Sequence, residues 1–208
     1  MQLVRIFKAF SDQPVIRELR GVMLFMAITL GFHYLYKLSA GQFNSLQSYI
    51  IIAEFLRDKV YFIVAWINEL IFFESMTRVD EIRNLRFSVS HDGGHLVREM
   101  SINLGCSGMK QLLQTLVLFL LYPGKIKHKF WYIPMAMLII QMANIARILF
   151  LSAVMLYLFP YWDFLHDWVA RPFIYLVLFV LWILWDKYFT PERKAGLQPD
   201  YMVKPGKD

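Results

Sequence analysis

The chain has one cysteine, Cys106, in the tetrapeptide Gly105-Cys106-Ser107-Gly108, where a charged stretch gives way to an apolar run. Two later residues offer chemistry that a thiol can use: Arg147, inside a second apolar run, and His166, in the short segment that follows it. A thiolate attacks a carbonyl carbon, an imidazole moves the proton, and a fixed cation stabilises the oxyanion. Brought to one membrane face, these three side chains would form a cysteine acyl-transfer site. Supporting residues stand beside them in the chain. Ser107 and Gly108 follow the thiol, and Asn144 stands one helical turn before Arg147. Asp167 is expected either to orient His166 or to serve only as a negative charge at the start of the next helix.

Composition defines what must position these groups. The 208 residues are 58% hydrophobic and 17% aromatic, which points to a polytopic membrane protein of one domain rather than a water-soluble enzyme. The net charge of +6 does not imply a nucleic-acid partner, because the basic residues gather at the ends of apolar runs instead of on one patch. A single cysteine excludes an internal disulfide, and residues 1–20 lack the short apolar core and small-residue cleavage site of a removed signal peptide. No phosphate-loop, dinucleotide or haem signature is present, so no cofactor is implied.

Four apolar runs read as transmembrane helices: residues 21–36 (19–38 at full reach), 106–121, 130–159 and 168–189. Tyr122-Pro123-Gly124 stops the second. The third is longer than a bilayer needs, so it must tilt, bend or protrude. The fold class is therefore an all-α integral membrane protein, a polytopic bundle of four spans and up to six if residues 46–73 also cross. Within residues 38–105 we expect that segment to be helix on the outer surface, the alternative being a tight helical pair dipping through the bilayer. Alternation in residues 85–102 around Asp92-Gly93-Gly94 predicts a small extracytoplasmic β-hairpin that delivers the chain to Cys106, with edges open to an extended peptide.

Lysine and arginine placement gives the orientation. Residues 1–20, the turn Lys125-Ile126-Lys127-His128-Lys129 and the tail 190–208 are basic and expected in the cytoplasm, whereas the loop 160–167 contains Asp163 and Asp167 and no basic residue. Residues 106–189 then form a catalytic membrane core whose thiol faces the exterior. Polar stripes support that geometry. Ser107, Lys110, Gln111 and Gln114 share one helical face, as do Gln141, Asn144 and Arg147, and intramembrane polar groups are costly without partners. Lys110 is read as a side chain that snorkels to the surface. His91, Asp92 and His95 invite a metal reading, but nothing nearby completes a usual zinc set, and no metal site is assigned.

Cys106-Ser107-Gly108 at the start of a span, Asn144-x-x-Arg147 in the next and His166-Asp167 after it resemble the exosortase and archaeosortase family of membrane-embedded sorting transpeptidases. The resemblance covers residues 89–188; the chain departs from the family in its few spans and in Asn103-Leu104-Gly105 before the cysteine, where acidic or alanine residues are common. It implies a prokaryotic cytoplasmic-membrane enzyme that cleaves exported proteins bearing a C-terminal motif, a hydrophobic helix and a basic tail. Cys106 would form the thioester, His166 would act as acid and base, Arg147 would bind the oxyanion with Asn144 orienting its guanidinium from one turn below, and an acceptor would resolve the intermediate. Two other readings stay open: an acyltransferase working through Cys106, and a non-catalytic membrane component of an envelope export or polysaccharide system.

Overall fold

The computed structural model describes residues 14–43, 46–72, 76–79, 83–91 and 94–190; most of the expected cytoplasmic segment 1–20 and nearly all of the tail 190–208 lie outside these. Among the described residues, five helices and a small sheet follow in order. Helix α1 spans Pro14–Phe43 and α2 spans Gln47–Ile71. Strands β1 (Met76–Val79), β2 (Asn84–His91) and β3 (Gly94–Ser101) come next, then a 3-10 turn, Leu104–Cys106. Helix α3 is Met109–Leu121 and α4 is Ile126–Tyr157. A 3-10 turn (Phe159–Tyr161), a helical turn (Trp162–Phe164) and a π-helical turn (Leu165–Ala170) lead into α5, Arg171–Phe189.

Among the described residues, three segments are long and apolar enough to cross a membrane: Leu19–Ser39, Ile126–Tyr157 and Phe159–Phe189. Their exposed faces carry large apolar residues such as Met23, Leu30, Leu138, Met142, Leu176 and Val180. The expected span at 106–121 is shorter than its apolar run. Helix α3 has 13 residues, hence about 20 Å of length against a hydrocarbon core of about 30 Å. Its start is delayed because Gly108 sits in the left-handed region, at φ +80°, and breaks the helix between Cys106 and Met109. Residues 47–71 form one unbroken helix and not a helical pair. The expected loop 160–167 is a second correction: it is helical and runs continuously into α5. Pro160 in the first turn starts a helix without losing a needed hydrogen bond, and Ala170 is buried against the body of the protein.

The predicted hairpin is present, paired Leu85↔Met100 and Phe87↔Arg98, and β1 adds a third antiparallel strand through Met76↔Phe87. Asp92 and Gly93, at its turn, lie outside the described residues, and the metal reading of His91, Asp92 and His95 goes with them. Met76, Leu85, Phe87 and Met100 face inward, while Arg86 and Glu99 face out.

Two apolar clusters divide the protein, and α4 belongs to both. Its first half, through Ala143, packs with α1, α3 and α5 around Phe25, Phe119, Tyr132, Trp182 and Trp185. Its second half, from Ile145, packs with α2 and the sheet around Val60, Tyr61, Leu85, Phe87 and Ile148. In hydrocarbon, hiding a leucine gains little, so polar ties matter in the first cluster. Lys129 Nζ donates to the Leu120 and Tyr122 carbonyls at 2.8 Å each, satisfying the end of α3. Trp185 Nε1 donates to the Pro123 carbonyl at 2.9 Å and Tyr122 Oη to Asp186 at 2.9 Å. The second cluster is tied by Arg83, which donates twice to Asp58 of α2 at 3.0 and 3.1 Å, and by Arg98, which donates to the Met155 carbonyl near the end of α4 at 2.6 Å. The junction of the two clusters falls at Asn144.

Candidate active site

Cys106 ends the 3-10 turn that joins the sheet to α3. Asn103 builds that turn: its Oδ1 accepts from the Gly105 N–H at 2.9 Å, and its carbonyl accepts from the Cys106 N–H at 2.9 Å. Ser107, almost fully buried, closes the far side by accepting the Met109 N–H on its Oγ at 3.2 Å. The turn is pressed onto α4. Asn144 Nδ2 donates to the Cys106 carbonyl at 2.9 Å, and Gln141 Nε2 donates to the Ser107 carbonyl at 3.1 Å. A Cβ on Gly108 would run into the Gln141 amide and come within 3.1 Å of Asn144 Nδ2, so only glycine allows this approach as well as the backbone angle. The polar stripe read on α4 thus has a purpose other than the one expected for Asn144. Its amide holds the cysteine backbone and makes no hydrogen bond to Arg147, the next member of the stripe.

Cys106, Arg147 and His166 line one cavity of about 450 Å³, with Asn103, Gly105 and Gln111 from the cysteine segment, His33 from α1, and Arg171, Ile174 and Tyr175 from α5. The sequence reading brought the first three together; it missed His33, Asn103, Arg171 and Tyr175. A histidine in an apolar span was a usable signal for His33, as was the four-residue spacing from Asp167 for Arg171.

His166 stands on the π-helical turn, a distortion that often accompanies functional sites because it re-aims a side chain. Its ring stacks on Trp162, with centroids 5.4 Å apart and planes 14° apart. Nδ1 and Asp167 Oδ1 are 2.7 Å apart, and Arg171 holds the same carboxylate oxygen at 3.2 Å. With Nδ1 donating to the carboxylate, Nε2 is the ring nitrogen left to exchange protons. Among the described residues no hydrogen bond links the sulfur to His166, so the two share the cavity without being locked together.

The thiol lies ahead of α3. Burial pushes it above its ordinary range, opposed by the nearby Arg147 guanidinium and a backbone hydrogen bond at Asn103. The resting sulfur is therefore protonated, and attack needs a proton acceptor rather than a standing thiolate. Arg147 Nε is buried and has no hydrogen-bond partner among the described residues. Lys110, read as reaching the surface, makes an exposed contact with α1: Nζ donates to His33 Nδ1 at 3.3 Å and lies 5.3 Å from the centre of the Tyr36 ring. Comparison of this chain with family models, characterised proteins and solved structures finds no match.

Proposed function

We propose that this protein is a membrane-embedded cysteine peptidase and transpeptidase of the exosortase type, acting on exported proteins that carry a C-terminal motif, a hydrophobic helix and a basic tail. One observation carries the reading: a thiol, an imidazole with an oriented tautomer and a guanidinium, from three separate segments, line a single cavity. In this reading the membrane is a prokaryotic cytoplasmic one, with the basic α3–α4 turn, Lys187 and both termini on its cytoplasmic side, as the positive-inside bias favours, and the thiol at the opposite face. Helix α2 and the sheet pack on the half of α4 beyond Asn144, and in this topology they would cap the exterior end.

His166 Nε2 takes the Cys106 proton as sulfur attacks the scissile carbonyl carbon. The carbonyl π electrons move to oxygen, and Arg147 stabilises the resulting oxyanion, a contribution worth a factor of about 10²–10³ for one donor. The tetrahedral intermediate collapses with cleavage of the C–N bond, and His166 delivers its proton to the departing amine. The thioester is then attacked by an acceptor nucleophile that gives its proton to His166, and sulfur leaves as the thiol. Asp167 keeps the imidazole in the required tautomer, as a carboxylate does beside a catalytic histidine.

The test is Cys106→Ala in cells that co-express a tailed substrate. Cleavage should stop while the variant still accumulates in the membrane, and normal processing would refute the proposal. Mass spectrometry of trapped Cys106 identifies the chemistry: a peptide thioester is expected, whereas a fatty-acyl thioester would make the protein a lipid acyltransferase.

A further inference from the structure

The cavity around Cys106 has one sign of charge. Lys110, Arg147 and Arg171 face it as cations, and the only carboxylate bonded to any of them among the described residues is Asp167, which is shared between Arg171 and His166. Among the described residues, Lys110 and Arg147 meet no carboxylate. Lys110 also stands in the first turn of α3, where the free N–H groups already present a partial positive charge, so its placement opposes the helix dipole. Its nearest polar partner is the neutral nitrogen of His33, which neutralises nothing. Such a concentration of positive charge around a partly enclosed site is unfavourable until an anion enters, and a cleft lined by one sign of charge focuses its field on that anion.

We infer that the cavity contains an oxyanion subsite, built by Lys110 and Arg171 with the His33 ring beside them, for a carboxylate or phosphate group on the molecule that Cys106 acts upon. Lys110 is then a binding residue of the site and not an interfacial anchor, and α1 contributes to recognition through His33. Arg147 remains reserved for the charge that develops on the attacked carbonyl. That the anion belongs to the acyl donor or acceptor rests on the thiol chemistry proposed above, but the subsite itself rests on the charges alone.

Because Cys106 is the only cysteine, the rate at which it forms a mixed disulfide with a thiosulfonate, expelling methanesulfinate, reports on the cavity without any knowledge of the substrate. Full-length protein in zwitterionic nanodiscs is reacted with neutral, anionic sulfonate and cationic trimethylammonium methanethiosulfonates, each rate being divided by that for free cysteine. The anionic reagent should outrun the cationic one by about tenfold, the low end of field focusing in a charged cleft. Inorganic phosphate or acetate, at ionic strength held constant with chloride, should slow the neutral reagent saturably. Protection by phosphate alone identifies a phosphate group, and protection by acetate identifies a carboxylate. Lys110→Gln should lose both the charge preference and the protection, whereas Lys110→Arg should keep them, which separates charge from a folding defect. Equal rates for the two charged reagents, or protection no greater than that of chloride, would overturn the subsite. Either result leaves cleavage by Cys106 untouched, so the two proposals fail separately.

Discussion

Gly108→Ala tests whether the cysteine turn is held in place by backbone conformation and close approach. The residue has φ +80°, a left-handed angle that costs an L-residue about 1–2 kcal/mol. The added methyl also meets the Gln141 amide and crowds Asn144 Nδ2 at 3.1 Å. If α4 yields, the Asn144 to Cys106 hydrogen bond goes too, for about 0.5–1.5 kcal/mol. The sum is about 1.5–3.5 kcal/mol, and at about 2–4 °C per kcal/mol for a chain of this size the melting temperature should fall by roughly 3–14 °C. Six tryptophans supply the fluorescence signal. The same change should speed alkylation of Cys106, since a displaced turn exposes the sulfur. Gly105→Ala is the control, because it adds a methyl in the same turn without a left-handed angle and should cost much less. The double variant Gly108→Ala/Gln141→Ala should recover the clash but not the backbone strain, giving a favourable coupling energy. A Gly108→Ala protein that melts with the wild type and alkylates at the wild-type rate would refute the reasoning.

Asn144→Leu removes the donor to the Cys106 carbonyl and should lower stability by about 1–3 kcal/mol, with a loss of substrate cleavage larger than its effect on protein level, measured by thermal melt and a processing assay. The alkylation rate of Cys106 should rise with pH and reach its midpoint above that of free cysteine, because burial favours the protonated thiol; Arg147→Gln removes an opposing charge and should move that midpoint higher still, whereas a downward move would contradict the assigned electrostatics. Lys129→Met should leave the Leu120 and Tyr122 carbonyls without their donor and lower the melting temperature by several degrees, without changing the thiol's pH profile, since the lysine sits at the other end of α4.

Elements whose signals are local could be read from the residues in order. Apolar runs with basic ends gave the long helices, and alternation around a glycine turn gave the β2–β3 hairpin, because each depends on periodicity within one segment. The order of Cys106, Arg147 and His166 gave the candidate chemistry, and the polar stripe on α4 gave a face. What a face touches is not a local property. Only packing made Asn144 a clamp on the cysteine carbonyl, set Lys110 against His33, drew β1 onto the hairpin, and turned residues 160–167 into helix that presents His166 from a π-helical turn. Gly108 shows the reason most plainly: its left-handed angle suits glycine anywhere, but the need for no side chain arises from Gln141, 33 positions later in the chain.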